Sequence, residues 1–300
     1  MIYTMTLNPA LDYVMHPLTL DMGFTNRSSS EELYCGGNGI NISTLLKELD
    51  VPSIAMGIAG GFTGDYLLTE LQDKGIASNF VRLDRGNTRI NIKLNGIVMT
   101  MVNGMGPKIP EKKVDELLER MDVVRAGDTL VLTGSIPNSL PEDIYTQIMG
   151  KLAGRGIQFV VDAPGQLLME SLKARPFLIK PNNHELGELV GRELTSDEEI
   201  TAAARTLQEK GARNVLVSMA GDGALLLDEA GTVHRIGTPK GKVVNSVGAG
   251  DSMVAGFVAG YLKTGSYDDA LRLGTACGSA TAFSLGLAKR EEIEVLLAAL

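Results

Sequence analysis

The sequence predicts an α/β fold, a mainly parallel sheet with helices on both faces, joined by a second and smaller sheet. Three observations predict it. Short apolar runs alternate with amphipathic stretches over most of the 300 residues. Two separated segments break that rhythm with a period-two alternation. A hydrophobic content of 44% supplies a large core.

Taken in order, residues 1–7 alternate like a strand. They carry no basic segment or cleavage site, so no secretory leader is expected and the cytoplasm is the default. Residues 53–57, 129–132, 158–161, 177–179 and 214–217 read as further strands. Between them, 111–121, 142–153, 197–209 and 268–283 read as helices. The two exceptional segments, approximately 11–34 and 88–103, look like antiparallel strands. In the second, Arg89 to Leu94 and Ile97 to Val102 flank a turn at Asn95-Gly96. They are expected to pair into a lid projecting from a single domain spanning 1–300. No repeat or low-complexity segment interrupts the chain.

The net charge of −8 excludes nucleic acid and an anionic membrane as general partners, since both need a basic field. The apolar run from Met253 to Leu262 is about ten residues, too short to span a bilayer. Cys35 and Cys277 lie far apart and form no metal-binding pattern, so both are expected as reduced thiols.

The densest chemical signal is Asn245-Ser246-Val247-Gly248-Ala249-Gly250-Asp251-Ser252, a small-residue turn that opens a long apolar helix. Free N–H groups at a helix start attract anions, and Gly248, Ala249 and Gly250 let a phosphate approach the main chain. Asp251 at the same mouth is a candidate base beside a transferring phosphoryl group. A plain N-terminal aspartate favoured by the helix dipole is the alternative, but it needs no glycines at 248 and 250.

In an open α/β sheet, ligands sit beyond the carboxyl ends of the strands. The residues there are Asn8 and Asp12, Gly134-Ser135, Asp162, Lys180 and Asn182, and Ser218. Gly36-Gly37-Asn38-Gly39-Ile40-Asn41 is a second glycine-rich helix entry, and Asp12, Asn38 and Asn41 could gather sugar hydroxyls in one pocket. Asp12 could equally be a turn residue after Pro9. Lys180 could reach a phosphate, and Asn182 with Glu185 could hold the water shell of Mg²⁺. The same spacing fits a capping box. The segment from Ser218 to Ala224 is either a nucleotide-admitting loop, through Gly221 and Gly223, or a plain hairpin turn. Arg27 and Arg89 are the lid cations available to an anionic sugar. His184 reads as an ordinary helix residue, and His16 and His234, without sequence partners, are expected at the surface.

With these motifs in place, the chain resembles the ribokinase-like, PfkB-type sugar kinases over its full length. The resemblance rests on Gly36 to Asn41 and Val247 to Ser252. Within the family it is most similar to the bacterial 1-phosphofructokinases, through Thr6 to Asp12, Thr88 to Lys93, Gly134 to Pro137 and Gly278 to Phe283. It implies a Rossmann-like core with a β lid and ATP-dependent phosphorylation of fructose 1-phosphate. Asp251 would be the base, with Gly248, Ala249 and Gly250 forming the anion hole. Asp12, Gly36, Gly37, Asn38, Asn41 and Asn103 would line the sugar site, with Arg27 and Arg89 on its phosphate. Lys180, Asn182, Glu185, Ser218, Gly221 and Gly223 would serve ATP and Mg²⁺. A homodimer through the lid is expected, with Ile90, Ile92 and Leu94 as a compatible apolar face. The alternatives are a tagatose-6-phosphate kinase and, from another class, a non-catalytic sugar-phosphate sensor. One departure stands out, because the subgroup usually has lysine where this chain has Asn38. That loss would weaken substrate binding by roughly 1–2 kcal/mol unless Arg27 or Arg89 compensates.

Overall fold

A computed structural model describes residues 1–96 and 99–300. In chain order it begins with β1 (Ile2–Thr6), β2 (Ala10–Pro17), β3 (Ser28–Gly36), α1 (Asn38–Glu48), β4 (Ser53–Gly60), α2 (Gly61–Asp73) and β5 (Ala77–Leu83). It continues with β6 (Arg89–Asn95), β7 (Met99–Asn103), α3 (Glu111–Arg120), β8 (Thr129–Thr133), α4 (Ile144–Lys151), β9 (Gln158–Asp162) and α5 (Gly165–Ser171). The rest is β10 (Leu178–Ile179), α6 (Asn183–Val190), α7 (Asp197–Glu209), β11 (Asn214–Ser218), β12 (Ala224–Leu227), β13 (Val233–Ile236), α8 (Ala249–Thr264), α9 (Tyr267–Phe283) and α10 (Arg290–Ala299).

The main sheet runs β13-β12-β11-β10-β9-β8-β1-β4-β5 and is parallel from β11 to β5. Only β12 and β13 turn back antiparallel, because short hairpins join them to the strand before. Central β1 is buried at all five residues, as a strand with helices on both faces must be.

Alternate residues of β1, β8, β9, β10, β11 and β12 feed two different cores, while β4 and β5 share a third with Leu11, Ile40 and α2. Tyr3, Met5, Leu130, Leu132, Val215 and Val217 pack with α3 to α7. Ile2, Val131, Val160, Leu178, Leu216 and Leu226 pack with α1, α8, α9 and α10. On the second face α8 and α9 touch backbone to backbone. A Cβ on Gly256 would lie 2.7 Å from the Leu273 carbonyl oxygen, and one on Gly260 would lie 2.9 Å from Ala270 Cα. The small-residue stripe of α8 is thus helix–helix packing. Among the described residues no helix is long and apolar enough to cross a membrane.

The two period-two segments do pair, in a separate four-stranded sheet of order β3-β2-β6-β7. One expectation is corrected. The strands are not all antiparallel, since β2 and β6 run parallel, with Asp12 opposite Asn91 and Val14 opposite Lys93. A hairpin forces antiparallel pairing, but β2 and β6 are joined through α1, β4, α2 and β5, which leaves either direction open. Ile97 and Val98, expected in the last strand, lie outside the described residues. The helix expected over 142–153 is shorter, Ile144–Lys151, because Glu142 and Asp143 form a turn after Pro141.

Candidate active site

Helix α8 starts from Gly248 in a left-handed conformation, φ +82°, where L side chains are strained. A Cβ there would also meet Leu287 Cδ2 at 2.7 Å. No side chain caps the helix; the Ala249 N–H donates to the Ser246 carbonyl at 3.2 Å, and the N–H groups of Gly250 and Asp251 that follow face an anion. Asp251, on that first turn, is 5% exposed. Its Oδ2 accepts a 2.8 Å hydrogen bond from Asn41 Nδ2 on α1. Burial and the nearby Asp162 charge push its carboxyl up to about 7, against opposing hydrogen bonds from Asn41 and Asn38 and the charge of Lys180.

Lys180 follows β10, is also 5% exposed, and lies 3.4 Å from Asp162 Oδ1 at the end of β9. A Cβ on Gly250 would come within 3.3 Å of Lys180 Nζ, so the ammonium lies against the start of α8. Burial opposes its charge, but Asp162, Glu185 and Asp251 outweigh that and raise its pKa. One cation therefore serves three carboxylates, and burial followed by the Glu185 charge holds Asp162 above the usual carboxylate range despite the lysine.

Asn182 and Glu185 form the capping box. Asn182 Oδ1 accepts from the Glu185 N–H and Glu185 Oε2 accepts from the Asn182 N–H, both at 2.8 Å. This ties one Glu185 oxygen to the helix cap. Among the described residues no group of three or more His, Cys, Asp or Glu is placed to hold a metal ion. Asn182 also pairs with Ser218 through an isolated parallel bridge, bringing the ends of β10 and β11 together. Beyond Ser218 the chain makes a hairpin turn to β12, closed by the Met219 N–H on the Gly223 carbonyl at 2.9 Å. Gly223, at φ +95°, has the Ile236 carbonyl where a Cβ would stand. Gly221 is exposed with open space around it.

On the other side of α1, Asp12 lies within β2 and is no turn residue. Its Oδ1 accepts from Asn91 Nδ2 at 2.7 Å and its Oδ2 from Lys93 Nζ at 2.8 Å. The carboxylate lies over Gly36, where a Cβ would approach Oδ2 to 2.9 Å. Gly37 turns the chain at φ +130° into α1. Asn38, the first residue of α1, is exposed, and a Cβ on Gly134 would come within 2.9 Å of its Oδ1. The five-residue step from Gly36 to Asn41 thus connects Asp12 to the partner of Asp251.

Arg89 spends Nε on the Asn8 carbonyl and Nη1 on the Gly104 carbonyl, both at 3.1 Å. Asn103 is exposed on β7 opposite Asn91. Arg27 sits exposed in the connection between β2 and β3. Asp162, marked only as a strand-end residue, and Asn91 and Lys93, given no place, are site neighbours whose roles the motifs did not show. The signal for the first is a strand end, and for the others the period-two run Arg89, Asn91, Lys93 along one face of β6.

His234 corrects a further expectation. Instead of a free surface position, its Nδ1 contacts Asp268 Oδ1 at 2.7 Å and its Nε2 contacts Asp228 Oδ2 at 3.0 Å. These partners come from the start of α9 and just past the end of β12, 34 and six residues away respectively. No local pattern could reveal them.

A family model described as pfkB family carbohydrate kinase matches residues 5–293. The chain belongs to this family. A 1-phosphofructokinase of Bacillus subtilis is 47% identical over 99% of this chain and 97% of its own length. A D-tagatose-1-phosphate kinase of Bacillus licheniformis is 38% identical over 96% and 94%. Among solved structures, the phosphofructokinase-2 of Escherichia coli in complex with fructose-6-phosphate superposes with a TM-score of 0.92 at 29% identity, covering 99% of this chain and 98% of that one. The PfkB-type fold expected from the resemblance, a mainly parallel sheet with an accessory small sheet, is therefore the one observed, and the protein is a sugar kinase.

Proposed function

We propose that this kinase transfers the γ-phosphoryl group of ATP to the C6 hydroxyl of fructose 1-phosphate, giving fructose 1,6-bisphosphate. The observation that carries the chemistry is Asp251, a buried carboxyl pushed up to about 7 on the open first turn of α8. A general base works best when its pKa lies near the working pH. In this reading ionised Asp251, aligned by Asn41, takes the hydroxyl proton as the oxygen attacks phosphorus. The N–H groups of Gly250 and Asp251 stabilise charge on the transferring phosphoryl oxygens. Lys180, lying against Gly250, holds ATP phosphate oxygens, and the loop from Ser218 to Gly223 borders the nucleotide.

The donor set fits Mg²⁺ carried on ATP. Three carboxylates around one ammonium leave excess negative charge, while no protein cage of three or more ligands is present among the described residues. Glu185 and Asn182 would meet that ion through its waters, and it would supply charge neutralisation on the phosphates. Asp12 and Asn41, with the Gly36-Gly37 turn, hold the sugar, and Arg89 meets its phosphate.

The choice of ketose phosphate draws support from the 47% identical 1-phosphofructokinase. The second reading is a tagatose-1-phosphate kinase, favoured by the 38% relative. It replaces the tagatose-6-phosphate alternative as the nearer rival. A coupled assay of kcat/KM with ATP and the 1- and 6-phosphates of fructose and tagatose separates them. Fructose 1-phosphate should lead by about tenfold or more, and preference for any other ketose phosphate overturns the assignment. Exposed Leu33, Tyr34, Ile90, Met101 and Val102 on the small sheet support the dimer reading, which a monomer in sedimentation velocity would refute.

A further inference from the structure

Fructose 1-phosphate is a substrate with two ends. The hydroxyl to be phosphorylated must reach Asp251, so the phosphate already present lies at the far end of the sugar, beyond Asp12. The subgroup lysine expected at position 38 would not serve that end. Asn38 stands near Asp251 and Gly134, on the reacting side. Arg27 is exposed in a loop, and Arg89 gives two of its five N–H donors to backbone carbonyls, which leaves three for the phosphate. A second cation lies against the sugar side, Lys93, in contact with Asp12.

Its position is built. Lys93 follows Asn91 by two residues on β6, so both face the same way, and the parallel register sets them beside Asp12. Asn91 takes one Asp12 oxygen and Lys93 the other. Both Asp12 and Lys93 side chains are only 15% exposed. The Asp12 contact uses one ammonium donor of three, and Asn91 Oδ1 is engaged by the Gly104 N–H at 3.2 Å, which holds the neighbouring loop in place. We propose that Lys93 is a specificity residue that binds the phosphate carried on the ketose, with Asp12 fixing the ammonium so that its free N–H groups face that anion. The inference rests on the fructose 1-phosphate reading.

The test separates phosphate binding from mere support of Asp12. Lys93→Met should raise KM for fructose 1-phosphate by about 10- to 100-fold, the effect of one lost charge-assisted hydrogen bond. KM for ATP and kcat should move less than about threefold. Competitive inhibition by free fructose, which carries the same ring and no phosphate, should stay within about threefold, and Lys93→Arg should restore most of the affinity. If Lys93 only supports Asp12, fructose and fructose 1-phosphate weaken together, and the proposal is overturned. Unchanged KM in Lys93→Met overturns it as well. A wild type that does not favour fructose 1-phosphate over free fructose refutes the underlying reading, and this inference with it.

Discussion

Asp251→Asn should make the protein more stable at pH 8 while removing its activity. In the folded chain the carboxyl is raised from 3.8 to about 7. Between those values the folded state keeps a proton that the unfolded state has lost. Stability therefore falls as pH rises from about 4 to about 7 and carries the full penalty above it. At about 1.36 kcal/mol per pH unit, the ionised carboxylate costs the fold about 4 kcal/mol at pH 8. Asparagine removes the charge, and its Oδ1 can still accept from Asn41 Nδ2, although its own amide hydrogens need acceptors in a buried site. A gain of about 2–4 kcal/mol at pH 8 is expected, shrinking to near zero at pH 4. Guanidinium unfolding of both proteins at four pH values between 4 and 8 measures it. A variant less stable than the wild type at pH 8, or a difference flat across the range, would refute the burial argument.

Three other perturbations follow from the same geometry. Lys180→Met deletes the cation that holds the Asp251 carboxyl down, so the rising limb of the kcat/KM profile should move to higher pH while KM for ATP increases; an unmoved limb contradicts the coupling. Gly248→Ala, at φ +82° and facing Leu287, should cost about 1–3 kcal/mol in chemical denaturation; a neutral substitution would show that the turn relaxes freely. Burial opposes protonation of His234, but its bonds to Asp228 and Asp268 outweigh that and raise its pKa above 6.5. The stability it adds is complete below 6.5 and is lost as pH rises through the raised value, so His234→Ala should destabilise the protein more at pH 6 than at pH 9. Equal losses at both would remove the imidazolium from the account.

Much of the fold was legible because the central strands β1, β8, β9, β10 and β11 are short apolar runs buried on both faces, whereas β5, β12 and β13 were not read as strands, the first and last being part-exposed edge strands and β12 following a hairpin turn. The alternation of Arg89 to Leu94 revealed the small sheet, but not the parallel pairing of β2 with β6, which depends on two strands far apart in the chain. Around the site, Asp251, Gly248 and Lys180 stood out because their chemistry is written locally, as glycines before a carboxylate or a cation ending a strand. The roles of Asp162, Lys93 and His234 arise only from contacts across the fold. The Asn182–Glu185 spacing served two readings at once, and the reciprocal 2.8 Å bonds show that the capping box is formed whatever else the pair binds.

The most direct test of the central claim is turnover by Asp251→Asn alongside its affinity for fructose 1-phosphate by calorimetry. A kcat lower by about a thousandfold or more, with the dissociation constant within about threefold of the wild type, is the predicted result. Turnover within about tenfold of the wild type, at unchanged affinity, would contradict a base at the mouth of α8.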